Sequence, residues 1–285
     1  MQLNSEIPTD PPRDASTVML LRDGARGIEV FLVKRHSASQ VLGGAYVFRG
    51  GKLDTADSAL HQRHLNLSVN ELHAKLGEQE TPPAKASALF VAALRETFEE
   101  AGVLLTDTPP SLNAGSAMQD FHALLAAQSL RLDVRSLRPW VRWITPRQPS
   151  VTNRRFDTRF FMVAMPPHQA AVHDNVEATA SAWSNPRSAL EQYWSREIDM
   201  APPQIMSLAY LARLPNVASV LADLDQRAPV TILPESHDQD GQRVVCYPGD
   251  PRHSVPVRAL PGPTRLVWRN QRFEPEGDLR ALWAD

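Results

Sequence analysis

The chain has a single cysteine, Cys246, in 285 residues. One cysteine forms no internal disulfide, which suits a reducing compartment, and alone it reads as an inert residue rather than a nucleophile. There is no run of 18 apolar residues, and the first 16 residues, MQLNSEIPTDPPRDAS, form no signal-peptide core. The final residues, LWAD, are not a peroxisomal S-K-L address. The expected setting is therefore cytoplasmic, with no membrane partner. Charge of one sign is also scarce: the net charge is −2 and the pI about 6.5, so no nucleic acid partner is implied. G-x-S-x-G, H-E-x-x-H, C-x-x-C and the P-loop pattern do not occur, which removes the commonest nucleophile, zinc and P-loop chemistries. At this length the chain buries a sizeable core, as one domain with elaborations.

What the chain does have is RETFEEAG, residues 95–102. It sets Glu96, Glu99 and Glu100 at i, i+3 and i+4, one face of a helix. Like charges so close repel, and a divalent cation removes that cost; oxygen-only ligands select Mg²⁺ or Mn²⁺ over zinc. At 100° per residue, Phe90, Leu94, Thr97, Phe98 and Ala101 fall on the opposite face, free to pack. Arg95 can pair with a carboxylate and orient it, and Gly102 ends the turn as a C-cap. Upstream, AYVFRGGKLD (45–54) reads as a short strand followed by Gly50-Gly51, where backbone can come close to something bulky or charged.

Together the two segments resemble the nudix box, G-x5-E-x7-R-E-U-x-E-E-x-G-U. Gly51 matches its first glycine, Asp57 its first acidic position, and Arg95, Glu96, Glu99, Glu100, Gly102 and Val103 the rest. Asp57 replaces a glutamate, Thr97 an aliphatic residue, and Arg49 the usual proline. The spacer between Asp57 and Arg95 is 95 − 57 − 1 = 37 residues instead of seven. Leucines at 60, 65, 67, 72 and 76 are loosely periodic and Thr81-Pro82-Pro83 ends them, so residues 58–87 are expected to form a short helical insertion, and lengthening a loop whose ends stay together costs little entropy. A branch with a long insertion inside the box, which includes CoA and acyl-CoA diphosphatases, is similar to this chain over 31–54, 140–146, 154–166 and 174–190.

The resemblance implies an α/β fold: a nudix-type α/β/α sandwich with a mixed β-sheet. Residues 1–15 would be a flexible lead-in, and 16–285 a single domain with a C-terminal elaboration over 186–285. It implies a metal-dependent pyrophosphohydrolase of a small-molecule nucleotide, with CoA or acyl-CoA as first expectation. ADP-ribose or NADH, or nucleotide binding without catalysis, are the alternatives. Glu99 and Glu100 would be metal ligands, Glu96 a ligand or base, the Gly51 carbonyl a further ligand, and Arg95 an orienting residue paired with Asp57. A homodimer is compatible with the family.

Further candidates come from the rest of the chain. A carboxylate outside the box is expected at Glu177, with Asp174 next and Asp157 weaker, since Asp157 can pair instead with Arg154 or Arg155. Substrate phosphates need cationic donors, for which Lys34, Arg35 and Arg49 lie before or beside Gly50 and Gly51. Segments 16–23 and 28–35 read as a hairpin around Gly24–Gly27. VLLTD (103–107) reads as a strand, 120–128 as a helix, and WVRWIT and RFDTRFFMVAM as strands. Asn185-Pro186 starts a helix, two more helices follow, and strands with proline-rich turns begin after Pro229. Trp140 and Trp143, three apart, are expected on opposite strand faces. His61, His64 and His73 are expected at the surface.

Overall fold

The computed structural model describes residues 3–4, 7–39, 42–111, 120–151, 154–173 and 178–284. The hairpin forms where the apolar runs and glycines put it. β1 (Arg13–Gly24) and β2 (Gly27–Arg35) pair antiparallel from Leu21↔Val30 to Gly24↔Gly27. β1 begins at Arg13, so the last residues of the expected lead-in are strand, held by parallel pairing to Phe156 and its successors.

Beyond Leu21 the hairpin splays, and residues 46–52 fill the fork. β3 (Tyr46–Val47) bonds to β2, and β4 (Arg49–Lys52) bonds to β1 in the register Ser16↔Gly51 and Thr17↔Gly50. β5 (Arg138–Ile144), β6 (Phe156–Ala164), β7 (Ala178–Ser184) and β8 (Val230–Ile232) complete a mixed sheet of eight strands. β1–β6 and β5–β8 are its parallel pairs. β7, ATASAWS, had no expected strand: its small polar residues hide the alternation, and pairing to β2 makes it one.

Residues 55–76 carry two short helices, α1 (Thr55–Ala59) and α2 (Val69–Leu76), each closed by a capping box, from Asp54 to Asp57 and from Ser68 to Glu71. α3 (Pro83–Ala101) follows, with proline at its first position and Gly102 at its end in the left-handed conformation, φ 68°. Phe90, Leu94, Thr97, Phe98 and Ala101 are fully buried on one side of α3. The Thr97 hydroxyl donates to the Ala93 carbonyl at 2.7 Å, which is why a polar residue is tolerated at an aliphatic position.

α3, α2 and α4 (Phe121–Ala127) cover one face of the sheet. α5 (Pro186–Trp194), α6 (Pro202–Leu211) and α7 (Val217–Asp225) cover the other, giving the expected layers. A second sheet, antiparallel, joins β9 (Glu235–Gln239), β10 (Gln242–Cys246), β11 (Arg265–Arg269) and β12 (Arg272–Glu274). Among the described residues no helix is long and apolar enough to cross a membrane.

Three expectations need correction. VLLTD is not a strand: it makes only an isolated bridge, Thr106↔Leu132, too short to build a ladder. Trp140 and Trp143 do not face opposite ways. The register shifts between Pro139 and Val141, and this bulge brings both indoles into one apolar cluster with Phe160. His64 is buried rather than on the surface, because its Nδ1 bonds the Leu130 carbonyl at 2.8 Å.

Candidate active site at the fork of the sheet

The long spacer closes on itself. Asp57, at the third position of α1, is 2% exposed, and its carboxylate takes a two-pronged bond from Arg95: Nε to Oδ1 at 2.8 Å and Nη2 to Oδ2 at 3.0 Å. Such fork-to-fork pairing fixes orientation as well as charge. The same guanidinium reaches three further acceptors. Nη1 donates to Glu96 Oε1 at 2.7 Å and Glu99 Oε2 at 2.9 Å, and Nη2 to the Lys52 carbonyl at 3.1 Å. Arg95 therefore holds α1, β4 and two of the three helix glutamates in one register. Burial opposes its charge, but Asp57 and Glu96 outweigh that and raise its pKa.

Glu100 faces a different cation. Arg49 Nη1 lies 3.0 Å from Glu100 Oε2, and the Gly50 N–H donates to the same oxygen at 3.4 Å. Arg49 is 3% exposed, and its Nε and Nη2 are buried with no hydrogen-bond partner among the described residues. The arginine at the family's proline position is thus a buried counter-ion to Glu100, with donors to spare.

The two glycines serve different faces of the fork. A Cβ on Gly51 would lie 2.2 Å from Glu96 Oε1 and 2.4 Å from its Cδ. A Cβ on Gly50 would meet the Ser16 carbonyl at 2.2 Å and the Thr17 hydroxyl at 2.6 Å. Gly51 thus leaves room for the Glu96 carboxylate, and Gly50 for the backbone of β1. Gly51→Ala is expected to leave the fold intact, because the obstructing atoms end a flexible side chain. It should displace Glu96 from Arg95 and lower turnover at least tenfold, by roughly the 1.4 kcal/mol that a tenfold rate change represents. Wild-type kcat together with an unchanged melting temperature would refute this.

Burial pushes the Glu96 carboxyl up to about 7; Arg95 opposes the rise, and the charges of Glu100 and Glu99 add to it. Four carboxylates (Asp57, Glu96, Glu99, Glu100) meet two guanidiniums (Arg49, Arg95), which leaves two negative charges in excess when all are ionised. Among the described residues no three acidic or histidine side chains converge as a ready metal cage: Arg95 gathers Glu96 and Glu99, while Arg49 holds Glu100. The donors are nonetheless all oxygen, the type a hard divalent cation takes, and the excess charge equals that of one such ion.

Other expected residues fall elsewhere. Glu177 and Asp174 lie outside the described residues. Arg35 ends β2, where the pairing with β7 shifts register, and Lys34 beside it is exposed. Asp157 does not pair with Arg154 or Arg155. It takes a fork from Arg142, at 2.8 and 2.6 Å, and lies 3.3 Å from Arg159, because β6 points residues 157 and 159 to one side. Cys246 is buried, and burial pushes its thiol up to about 12, which agrees with an inert residue. An apolar cleft on the far side of the fork, lined by Thr17, Trp143, Phe160 and Gln204 among others, had no spacing signal in the sequence.

Residues 75–211 match a family profile described as the NUDT19 Nudix domain. That span contains α3 but begins after Gly51 and Asp57. The acyl-coenzyme A diphosphatase NUDT19 of Gallus gallus is 30% identical over 73% of this chain and 69% of its own length. The Homo sapiens protein of the same name is 27% identical over 79% and 72%. A crystal structure of a NUDIX hydrolase from Alicyclobacillus acidocaldarius superposes with a TM-score of 0.61 at 29% identity, covering 75% of this chain and 97% of that one.

Proposed function

The chain belongs to the nudix hydrolase family, and from that premise we propose that it is a divalent-metal-dependent diphosphatase of CoA or acyl-CoA. The observation that carries the reading is the cluster of four carboxylates and two buried arginines around Gly51. The relatives named acyl-coenzyme A diphosphatase supply the substrate class.

In the proposed reaction water attacks one phosphorus of the diphosphate and the bridging P–O bond breaks. The products are 3′,5′-ADP and a phosphopantetheine. Mg²⁺ or Mn²⁺, when bound, neutralises phosphate charge and acidifies a coordinated water. Glu99, Glu100 and Glu96 would hold the ion, with the Gly51 carbonyl beside them. Arg95 would keep the Glu96 and Glu99 carboxylates aimed, and Asp57 would keep Arg95 in place. The spare donors of Arg49 suit a phosphate oxygen. A reducing setting such as the cytoplasm accords with the buried free thiol of Cys246.

The test is product release from CoA, acyl-CoA, ADP-ribose and NADH, each with Mg²⁺ or Mn²⁺ and again with chelator. Cleavage of the CoA species that stops with chelator is the expected result. Faster turnover of ADP-ribose or NADH would overturn the substrate class, and no turnover by folded, metal-supplied protein would point to a binding role.

A further inference from the structure

The cleft across the fork from the glutamates has a volume of about 180 Å³. Trp143, Phe156 and Phe160 form aromatic walls, and Thr17 and Gln204 are among its polar lining. Thr17 ties it to the candidate site. It pairs with Gly50 in the sheet, and Gly50 is next to Gly51, whose missing side chain makes room for Glu96. The cleft and the carboxylate cluster thus begin on opposite faces of two consecutive residues.

Gln204 is the unusual member. It is 7% exposed, and its Oε1 is buried with no hydrogen-bond partner among the described residues. It occupies the third position of α6, after Ala201, Pro202 and Pro203. A glutamine there ordinarily turns back to cap the helix, but α6 has no side-chain cap bond. A buried amide oxygen left unsatisfied costs free energy, and such groups in folded proteins call for a partner. Ser150, also lining the cleft and 6% exposed, has its hydroxyl unpartnered too.

An apolar cleft edged by aromatic residues, with one primary amide among them, suits a heterocycle that offers a donor beside an acceptor. We propose that this cleft takes the adenine ring of the nucleotide substrate, and that Gln204 is the residue that reads it, accepting from the 6-amino group and donating to an adjacent ring nitrogen. Asparagine and glutamine recognise adenine with this pairing in other settings. The aromatic walls supply stacking surface that any base can use, so selectivity falls to the amide. The proposal rests on the nucleotide diphosphatase reading for its ligand class, but its test does not require turnover.

The experiment is calorimetric titration of the full-length protein with ADP and with the same nucleotide carrying purine, without the 6-amino group, in place of adenine. Wild type should bind ADP at least about tenfold more tightly, as sites built to hydrogen-bond a substrate group reject analogues that lack it. Gln204→Leu should weaken ADP binding more than that of the analogue, which loses only the bond to the ring nitrogen, and should abolish the preference. Gln204→Glu, closer in shape, guards against a misfolded variant: its carboxylate still accepts from the 6-amino group but cannot donate to the ring nitrogen, so both nucleotides should bind more weakly while the preference for ADP remains. Equal binding of both nucleotides by wild type, no binding of ADP, or a preference that survives in Gln204→Leu would each overturn the proposal. If the acyl arm occupied the cleft, Gln204→Leu would tighten long-chain acyl-CoA and leave the base preference intact, which also overturns it. Loss of CoA turnover in the substrate panel with the base preference intact would sink the diphosphatase reading and leave the adenine site standing.

Discussion

Glu100→Gln should lower metal-dependent turnover by roughly 10³-fold, about 4 kcal/mol of transition-state stabilisation. The substitution keeps the shape of a side chain that is 8% exposed and keeps an acceptor for the Gly50 N–H. It removes one of the charges proposed to hold the cation. It also leaves Arg49 as a buried cation without its counter-ion, so part of the loss would come from destabilisation. Glu99→Gln separates the two effects. The Glu99 side chain is 39% exposed and its arginine has other carboxylate partners, so the fold should hold while turnover falls by a comparable factor. Mn²⁺ binding followed by spectroscopy should weaken in both variants. Full metal-dependent activity in either one, with a native melting curve, would remove that residue from the proposed ligand set.

Arg159→Leu should have the largest effect on stability, about 3–5 kcal/mol, the usual consequence of removing one partner from a buried ionic network. Arg159 is 2% exposed. It donates to Glu78 Oε1 at 2.9 Å and Oε2 at 2.7 Å, and to Asp14 Oδ1 at 2.7 Å, with Asp157 Oδ2 at 3.3 Å. Arg142 and Lys85 close the network at Glu78, Asp157 and Asp14. Burial alone would raise the Glu78 carboxyl; bonds from Arg159 and Thr81 outweigh it and hold the group low. Glu78 follows α2 and Asp14 belongs to β1, so this network pins the insertion to the sheet. Thermal unfolding should show a fall of roughly 10 °C at this chain length. Adding Glu78→Leu should restore part of the loss, because it removes a carboxylate that would otherwise be stranded. A melting temperature within 2 °C or so of wild type would show that the network contributes little.

The contrast between these two clusters shows what a linear reading can reach. The spacing of Glu96, Glu99 and Glu100 is a property of helix geometry, so their shared face, the packing of Phe90, Leu94 and Phe98 behind them and the Gly102 cap were legible before any tertiary contact was known. The Arg95–Asp57 pair was legible only through resemblance, since 37 residues separate the two and no local rule joins them. The Asp157–Arg142–Arg159–Glu78 network was not legible at all. Its members come from β5, β6 and the segment after α2, and the sequence offers Arg154 and Arg155 as nearer partners for Asp157. Strand pleating and the β5–β6 register decide otherwise.

The sequence by itself determined the helix, its acidic face, the glycine turn and hence the family, because each of these depends on residues within a few positions of one another. Tertiary structure alone decided that Arg49 is buried against Glu100, that Trp140 and Trp143 share one apolar cluster across a bulge, and that Gln204 faces a cleft with its amide oxygen unpaired. Those outcomes depend on which strands become neighbours and in what register. Register is set by the burial of a whole sheet face rather than by any single stretch of chain.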